Sequence, residues 1–333
     1  MNTKKSRLNK FNTAIIVGMF SFLALTTSAS SEAKPIVLKG ITPWTKTYAS
    51  SEPFFMFQRL IEERLKGKVI LKYLGGPEVA PSFEQFEALR NGVVDVILGA
   101  AAYYTGQVPE ASGMLLARKS SKEQRKSGYY DVMRKVHLDK GGVIYLSSLT
   151  GEPNKGFRLY LNKKIDKPDL SGLKIRVSPV YVPLVKGLGG TPINMKMSEV
   201  YTAMERGVVD GFGATYVGIM DFALHEVTKY VVDIPFYSKD NSILMNAKAF
   251  KSLPDDIRKE LEKIAVEVEN QQAVFLTEKN GKEDAKIKKA GLKFIRFDKS
   301  GTKKYLGAAY NSRWDKFLKK SPEIGLKLRK LGG

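Results

Sequence analysis

The 333-residue sequence contains no cysteine. That excludes disulfide staples, a thiol nucleophile, thiolate metal sites and a lipid-acylated cysteine. Stability must come from a packed core, which a chain of this length can supply. Histidine is scarce as well: His137 and His225 are the only two, too few for a histidine-rich zinc site or a duplicated histidine catalytic centre. Acidic side chains are in deficit, 34 Asp and Glu against 55 Lys and Arg, a formal charge of +21. Long apolar runs are absent apart from one near the N-terminus, Ala14 to about Leu25. There is no G-x-S-x-G, no P-loop, no G-x-G-x-x-G and no metal-ligand spacing, so no cofactor is implied. Neither histidine has a serine or aspartate placed by motif as a nucleophile–base pair, and both read as structural. The glycine-rich GLGGTP at 187–192 follows a helical stretch and reads as a cap.

What is present begins with a charged lead. Lys4, Lys5, Arg7 and Lys10 precede the apolar run, and Ser31-Glu32-Ala33 makes a small-x-small site before Lys34-Pro35. The run is short for a bilayer span, so residues 1–33 read as a cleavable secretory signal, with an uncleaved anchor as the alternative. The expected product is exported, soluble and not membrane-spanning. Without those residues, which carry four basic side chains and one acid, the charge is +18. The lysines are dispersed, and their densest clusters, Lys286 to Lys289 and Lys319-Lys320, fall on polar helical faces. With no nucleic-acid motif or aromatic–basic interleaving beside them, they read as a solvated surface, and nucleic acid is not an expected partner.

The chain writes one pattern twice: FEALRNGVVD from Phe86 to Asp95, and YTAMERGVVD from Tyr201 to Asp210. Each reads as the last turns of a helix, a glycine stop and the start of a buried strand. Around the first copy the pattern predicts strands at 34–41, 68–75 and 93–100, with helices through Phe54 to Leu65 and from about Ser82 to Gly92. Around the second it predicts strands at 172–178 and 208–214 and a short extended PINM, with helices between them. A crossing strand is expected at 143–149, and 235–250 reads as an extended return. Pro254-Asp255-Asp256 opens a long helix expected to reach about Lys289, roughly 50 Å at 1.5 Å per residue. The expected architecture is α/β: two similar domains, a domain-spanning helix and a ligand cleft between the domains. The expected division is 34–155 with about 240–275, and 156–239 with about 276–333.

Arg176 is the sharpest candidate for chemistry. In LKIRVS, period 2 puts Leu173, Ile175 and Val177 on one face and Lys174 and Arg176 on the other, close to the strand's carboxyl end, where such sheets bind ligands. A guanidinium there can hold a carboxylate through two parallel hydrogen bonds; a solvated surface arginine is the alternative. Arg158, in GFRLYLN, reads either as a second anion contact or as a salt bridge near the crossing between halves. Trp44, Phe83, Tyr103, Tyr104, Tyr181, Phe212 and Tyr216 gather at strand ends and could line a cleft for a ligand with an apolar part. Glu78, alone in the loop GGPEVAP, could accept from a ligand hydroxyl or amine, or stay solvated.

DLSGLKIRVSPVYVPLVKGLGGTPINMKMSEVYTAMERGVVDGF, from Asp169 to Phe212, resembles the periplasmic solute receptors of TRAP transporters, the DctP-like family. FEQFEALRNGVVDV and LMNAKAFKSLPDDIRKEL are similar to other stretches of that family, and the likeness covers nearly all of the chain after residue 33. The resemblance implies two α/β domains closing on an organic acid by a hinge, no enzymatic activity, and delivery to TRAP membrane permease subunits driven by an ion gradient. It implies that Arg176 clamps the ligand carboxylate and that Met197 touches the ligand. Sialic-acid and dicarboxylate receptors of the family continue V-D-G-x-E-N-P, whereas Gly213, Ala214 and Thr215 stand at the last three positions here. GGPEVAPSFEQFEA looks more like the loop of receptors for 2-oxo or 2-hydroxy monocarboxylates, some of which include a metal ion. The acidic ligand that those receptors present after the second V-D is not evident here. The resulting expectation is a transport receptor for a small monocarboxylate. A C4-dicarboxylate receptor of the same family and a basic, exported polyanion-binding protein are the alternatives, and an exported hydrolase or lyase lacks a visible nucleophile–base pair.

Overall fold

The computed structural model describes residues 34–150 and 156–333. The expected signal segment, 1–33, lies outside the described residues. Eleven strands among the described residues form two mixed sheets. The first has the order β2-β1-β3-β10-β4, built from β1 (Ile36–Ile41), β2 (Val69–Gly75), β3 (Val96–Ala100), β4 (Val143–Tyr145) and β10 (Asn241–Asn246). The second has the order β11-β9-β5-β8-β6-β7. Its strands are β5 (Phe157–Leu161), β6 (Lys174–Val177), β7 (Thr191–Asn194), β8 (Gly211–Thr215), β9 (Tyr230–Val232) and β11 (Lys293–Ile295).

The repeated decapeptide occupies matching places in the two sheets. Each copy ends a helix, turns at a glycine in the left-handed region (Gly92, φ 75°; Gly207, φ 66°) and enters a central strand. A side chain with a Cβ would be strained at either position. Each copy then ends in an aspartate that ties the neighbouring parallel strand. Asp95 Oδ2 accepts from the Lys39 N–H at 2.7 Å, and Asp210 Oδ2 accepts from the Lys174 N–H at 2.9 Å. β3 is buried along its whole length, as expected of a strand covered on both faces.

The crossing connections differ from the sequence reading. Residues 143–149 do not cross over: β4 is a short edge strand, antiparallel to β10. The crossing elements are β10, which returns from the second half to lie antiparallel to β3, and β5, which leaves the first half to lie antiparallel to β8. The segment around His225 is a series of turns rather than a helix, with Ala223 held at φ 53°.

The long helix runs Asp255–Lys289, with acids in its first turn as the sequence predicts. Ile257, Leu261, Ile264 and Val268 pack into the core behind the first sheet, and Ile287 packs into the core behind the second. Its carboxylates fasten it along the way. Glu269 is buried and takes Arg125 in a two-pronged pair, Nε to Oε2 at 2.7 Å and Nη2 to Oε1 at 2.8 Å. The Ser148 N–H adds a third bond at 2.6 Å. After it come the helices Lys299–Lys320 and Pro322–Gly332. The first packs on both Val182–Gly187 and Ser112–Leu116, and the second packs on helices Ser121–Ser127 and Tyr129–Gly141.

Removing one partner of a buried ion pair leaves a stranded charge. Glu269→Ala is expected to cost about 3–5 kcal/mol of stability, read from the midpoint and slope of urea unfolding. A cost below about 1 kcal/mol, the range of exposed pairs, would show that this anchor is not structural.

Candidate ligand-binding site

Arg176 is the third residue of β6 and is 2% exposed. A buried guanidinium requires acceptors, and the neighbouring strands provide them. Its Nε donates to the Met195 carbonyl, just beyond β7, at 3.0 Å, and its Nη1 donates to the Gly213 carbonyl on β8 at 3.1 Å. Nη2 is buried and has no partner in the protein. Two backbone bonds therefore fix the plane of the fork while one nitrogen stays free. Gly213 also packs closely: a Cβ on it would lie 3.0 Å from the Tyr181 ring, which would have to shift to make room.

Arg176 lines a cavity between the two sheets. Trp44, Tyr48, Ser50 and Tyr103 form the wall from the first half, with Asp240 and Asn241 at the start of β10. The second half contributes Phe157, Ser178, Tyr181, Met197 and the run Gly213 to Thr215. About 430 Å³ lies between its lining atoms, the open mouth included, and only about 30 Å³ of it admits the centre of a water molecule. It is therefore tight.

Contacts across the cleft hold it closed. The Tyr48 hydroxyl bonds Thr215 Oγ1 at 3.0 Å, and the Ala49 N–H donates to Asp221 Oδ2 at 2.7 Å. The Tyr48 ring also packs on Phe222, with centroids 4.7 Å apart. Gly218, at φ 108°, lies so near that a Cβ would meet the Tyr48 ring at 2.2 Å. The turn that carries these groups is fastened to the long helix. Glu283 Oε1 accepts from the Gly218 and Met220 N–H groups at 3.1 and 3.2 Å, and the Tyr216 hydroxyl donates to Asp284.

The cavity's electrostatics pair one cation with one acid. Among the described residues, Arg176 is the only cationic side chain on the wall, and Asp240 is the only carboxyl. Asp240 is 3% exposed, and burial raises its carboxyl to about 6, although Oδ2 accepts the Ala102 N–H at 2.6 Å. Burial pushes the Tyr48 phenol up to about 12. It raises the Tyr103 phenol as well, partly offset by the Arg176 charge. Both phenols are thus neutral near neutral pH.

Of the residues singled out from sequence, the structure gathers Arg176, Met197, Trp44, Tyr103 and Tyr181 on this wall. It sets the other six elsewhere. Phe83 stacks edge-on behind Tyr103, centroids 4.7 Å apart. Glu78 is exposed and closes its own loop by accepting the Gly76 N–H at 2.6 Å. Tyr104 turns into the core, stacked on Phe86 and bonded to His137 Nε2 at 3.1 Å. Phe212 lies flat on Tyr160, inside the core behind the second sheet. Tyr216 points to the long helix, with the Arg158 guanidinium 5.0 Å from its ring. Arg158 is buried with Nε and Nη1 unpartnered, and no described carboxylate forms a salt bridge with it. His137 is fully buried, and burial lowers it to about 4, so it is neutral. Sequence reasoning missed Tyr48, Ser50, Ser178 and Asp240. The Ser-Lys-Asp-Asn run at 238–241 was the available signal, a polar group just ahead of an apolar strand at a cleft edge.

Residues 44–321 match the model of the DctP family, "Bacterial extracellular solute-binding protein, family 7". The chain is 25% identical over 280 residues to the C4-dicarboxylate-binding periplasmic protein DctP of Rhodobacter capsulatus, covering 81% of this chain and 82% of the relative. Two solved structures of TRAP periplasmic solute-binding proteins share its fold. The one from Desulfovibrio salexigens, with bound orotic acid, has a TM-score of 0.78 at 22% identity and covers 89% of this chain and 96% of its own. The one from Ralstonia eutropha, with bound (S)-2-acetolactate, has a TM-score of 0.75 at 21% identity and covers 89% and 98%.

Burial raises Asp240 from its ordinary 3.8 to about 6. The folded protein therefore keeps a proton there that the unfolded chain has released. The site's contribution to stability is fully present below 3.8 and is lost as pH rises through about 6. Asp240→Asn, whose amide oxygen can still accept the Ala102 N–H, should match wild type near about pH 4 and exceed it above about pH 6. Thermal melts across that range check this; a variant less stable than wild type at neutral pH would give the carboxylate a structural duty instead.

Proposed function

We propose, from the premise that this chain belongs to family 7 of the bacterial extracellular solute-binding proteins, that it is the receptor for a compact organic acid carrying a single carboxylate. The family is one of solute receptors, not enzymes. The observation that carries the reading is the Arg176 guanidinium, oriented by two strand carbonyls and left with a free nitrogen inside a closed cavity. A carboxylate taking that edge gains a charge-assisted bond in a place from which water is largely excluded.

The cavity's composition supports a 2-oxo or 2-hydroxy monocarboxylate. Among the described residues, a second carboxylate would find no second cation on the wall and would face Asp240. A hydroxyl or keto group would find hydroxyls and an amide: Ser50, Ser178, Thr215 and Asn241 line the wall, and Ser178 Oγ is buried without a partner. Gly213, Ala214 and Thr215, short where the sialic-acid and dicarboxylate pattern has Glu, Asn and Pro, line the cavity as well. A C4-dicarboxylate is the second reading, favoured by the function of the Rhodobacter capsulatus relative.

In the working cycle, the open receptor presents Arg176 on the second domain, the acid docks, and Trp44 and Tyr103 close over it from the first. The ligand drives closure by its preference for the closed state. The domains in this reading are 34–155 with about 240–275, and 156–239 with about 276–333, although the last helix packs on helices of the first. Residues 1–33 act as a cleavable signal to the periplasm, and the loaded receptor delivers its acid to TRAP-type permease subunits.

Thermal-shift screening of the mature protein against small organic acids tests this, since a ligand bound only by the native state raises the melting temperature. A hydroxy or oxo acid should give the largest shift. Arg176→Ala should weaken binding of that acid by about 2–5 kcal/mol, roughly 30-fold or more. Arg176→Lys should fall between the two, because an ammonium keeps the charge but cannot hold both carbonyls and the ligand at once. Equal affinity in all three proteins would remove the clamp, and a larger shift with C4-dicarboxylates would favour the second reading.

A further inference from the structure

We propose that a second anion-binding subsite lies in the bay beside the ligand cavity, formed by Arg313, Lys316 and Lys320 of the helix Lys299–Lys320. The bay shares Ala102 and Tyr103 with the inner cavity, so Tyr103 forms part of the wall of both. It is far roomier, with about 470 Å³ admitting the centre of a water molecule against about 30 Å³ within. The subsite is distinct from the Arg176 clamp and does not depend on it.

Arg313 is 4% exposed. Its Nη2 donates to Ser112 Oγ at 2.8 Å, while its buried Nε has no partner. Desolvating an arginine without satisfying it is costly, and a partner that arrives from the bay would offset that cost. Lys316 and Lys320 follow at helical spacings that place them on the same face. Both are exposed, and no ion pair engages either among the described residues. Among the described residues no Asp or Glu lines the bay, whereas Gln107, Ser112 and Asn194 add neutral polar groups. The cations also press on one another: the Lys316 ammonium is lowered by its partial burial and further by Arg313, Lys320 and Lys186. The acid whose charge acts on Arg313 is Asp240, which lines the inner cavity and is engaged by the Ala102 N–H.

Three converging cations with no lining acid fit an oxyanion, a carboxylate or a phosphate. It has two possible sources: the far acid group of a longer ligand that reaches past Tyr103, or a free inorganic anion.

Calorimetric titration of inorganic phosphate into the purified protein at low ionic strength tests the subsite. Wild type and Arg176→Ala should bind phosphate alike, and Lys316→Ala/Lys320→Ala should bind it at least about tenfold more weakly, the loss of roughly one charge-assisted bond. Both lysines are exposed, so the double variant should fold; Arg313→Gln adds the buried member, with its melting temperature as the folding control. Straight-chain dicarboxylates of increasing length then separate the sources. One that displaces phosphate and is weakened by both the Arg176 and the lysine changes spans the two sites, whereas phosphate that no dicarboxylate displaces is a free anion. No binding of phosphate to wild type, binding indifferent to the lysine pair, or binding lost in Arg176→Ala would each overturn the proposal.

Discussion

A guanidinium buried at 2% exposure cannot stand without acceptors, and much of the second sheet's arrangement can be understood from that requirement. β6 must lie between β7 and β8 so that a carbonyl from each side can reach Arg176. Gly213, with no side chain, lets Tyr181 settle closely against the strand that supplies one of them. The result is a charge whose orientation is set before any ligand arrives. Such preorganisation lowers the cost of binding, because little side-chain freedom remains to be lost.

The long helix solves a different problem, joining two sheets that each have a core of their own. Its apolar contacts divide between those cores, and its acids reach sideways to fixed partners: Glu262 to Arg134 and Glu269 to Arg125 at one end, Glu283 and Asp284 to the turn over the cleft at the other. Burial raises the carboxyls of Glu269 and Glu283, so these anchors rest on their hydrogen bonds rather than on easy ionisation. The turn that meets Tyr48 is thereby tied to a rigid rod and not left as a loose flap.

Much of this was legible in the chain. The duplicated decapeptide announced two matching corners because left-handed glycine and a strand-capping aspartate are local devices. Pro254 and the acids after it marked the start of the long helix for the same reason. Strand alternation and a nearby proline placed Arg176 near the end of its strand, where the structure has it on the cavity wall. Direction was harder: Tyr103 and Tyr104 are neighbours in sequence, yet successive residues of a helical turn diverge, and one faces the cleft while the other enters the core. Phe212 and Tyr216 were drawn away by partners distant in sequence, Tyr160 and Asp284. Between 101 and 141 the clearest local mark of a helix is the complete capping box of Ser120 and Glu123, a spacing visible in the sequence itself. Asp240 was missed because its importance depends on β10 returning to the first sheet, a pairing set by tertiary packing.

That exchange of strands also governs the order in which the molecule can be assembled. β4 reaches its sheet only through β10, almost one hundred residues later, and β8 gains its antiparallel neighbour from β5, which precedes the rest of its own sheet. A chain emerging from the N-terminus therefore holds an incomplete first sheet, with β3 exposed along one edge, until residue 246 is available. Neither half is a closed unit of continuous chain. Loop closure over such separations is slow, so completion of the first sheet waits on chain that follows most of the second.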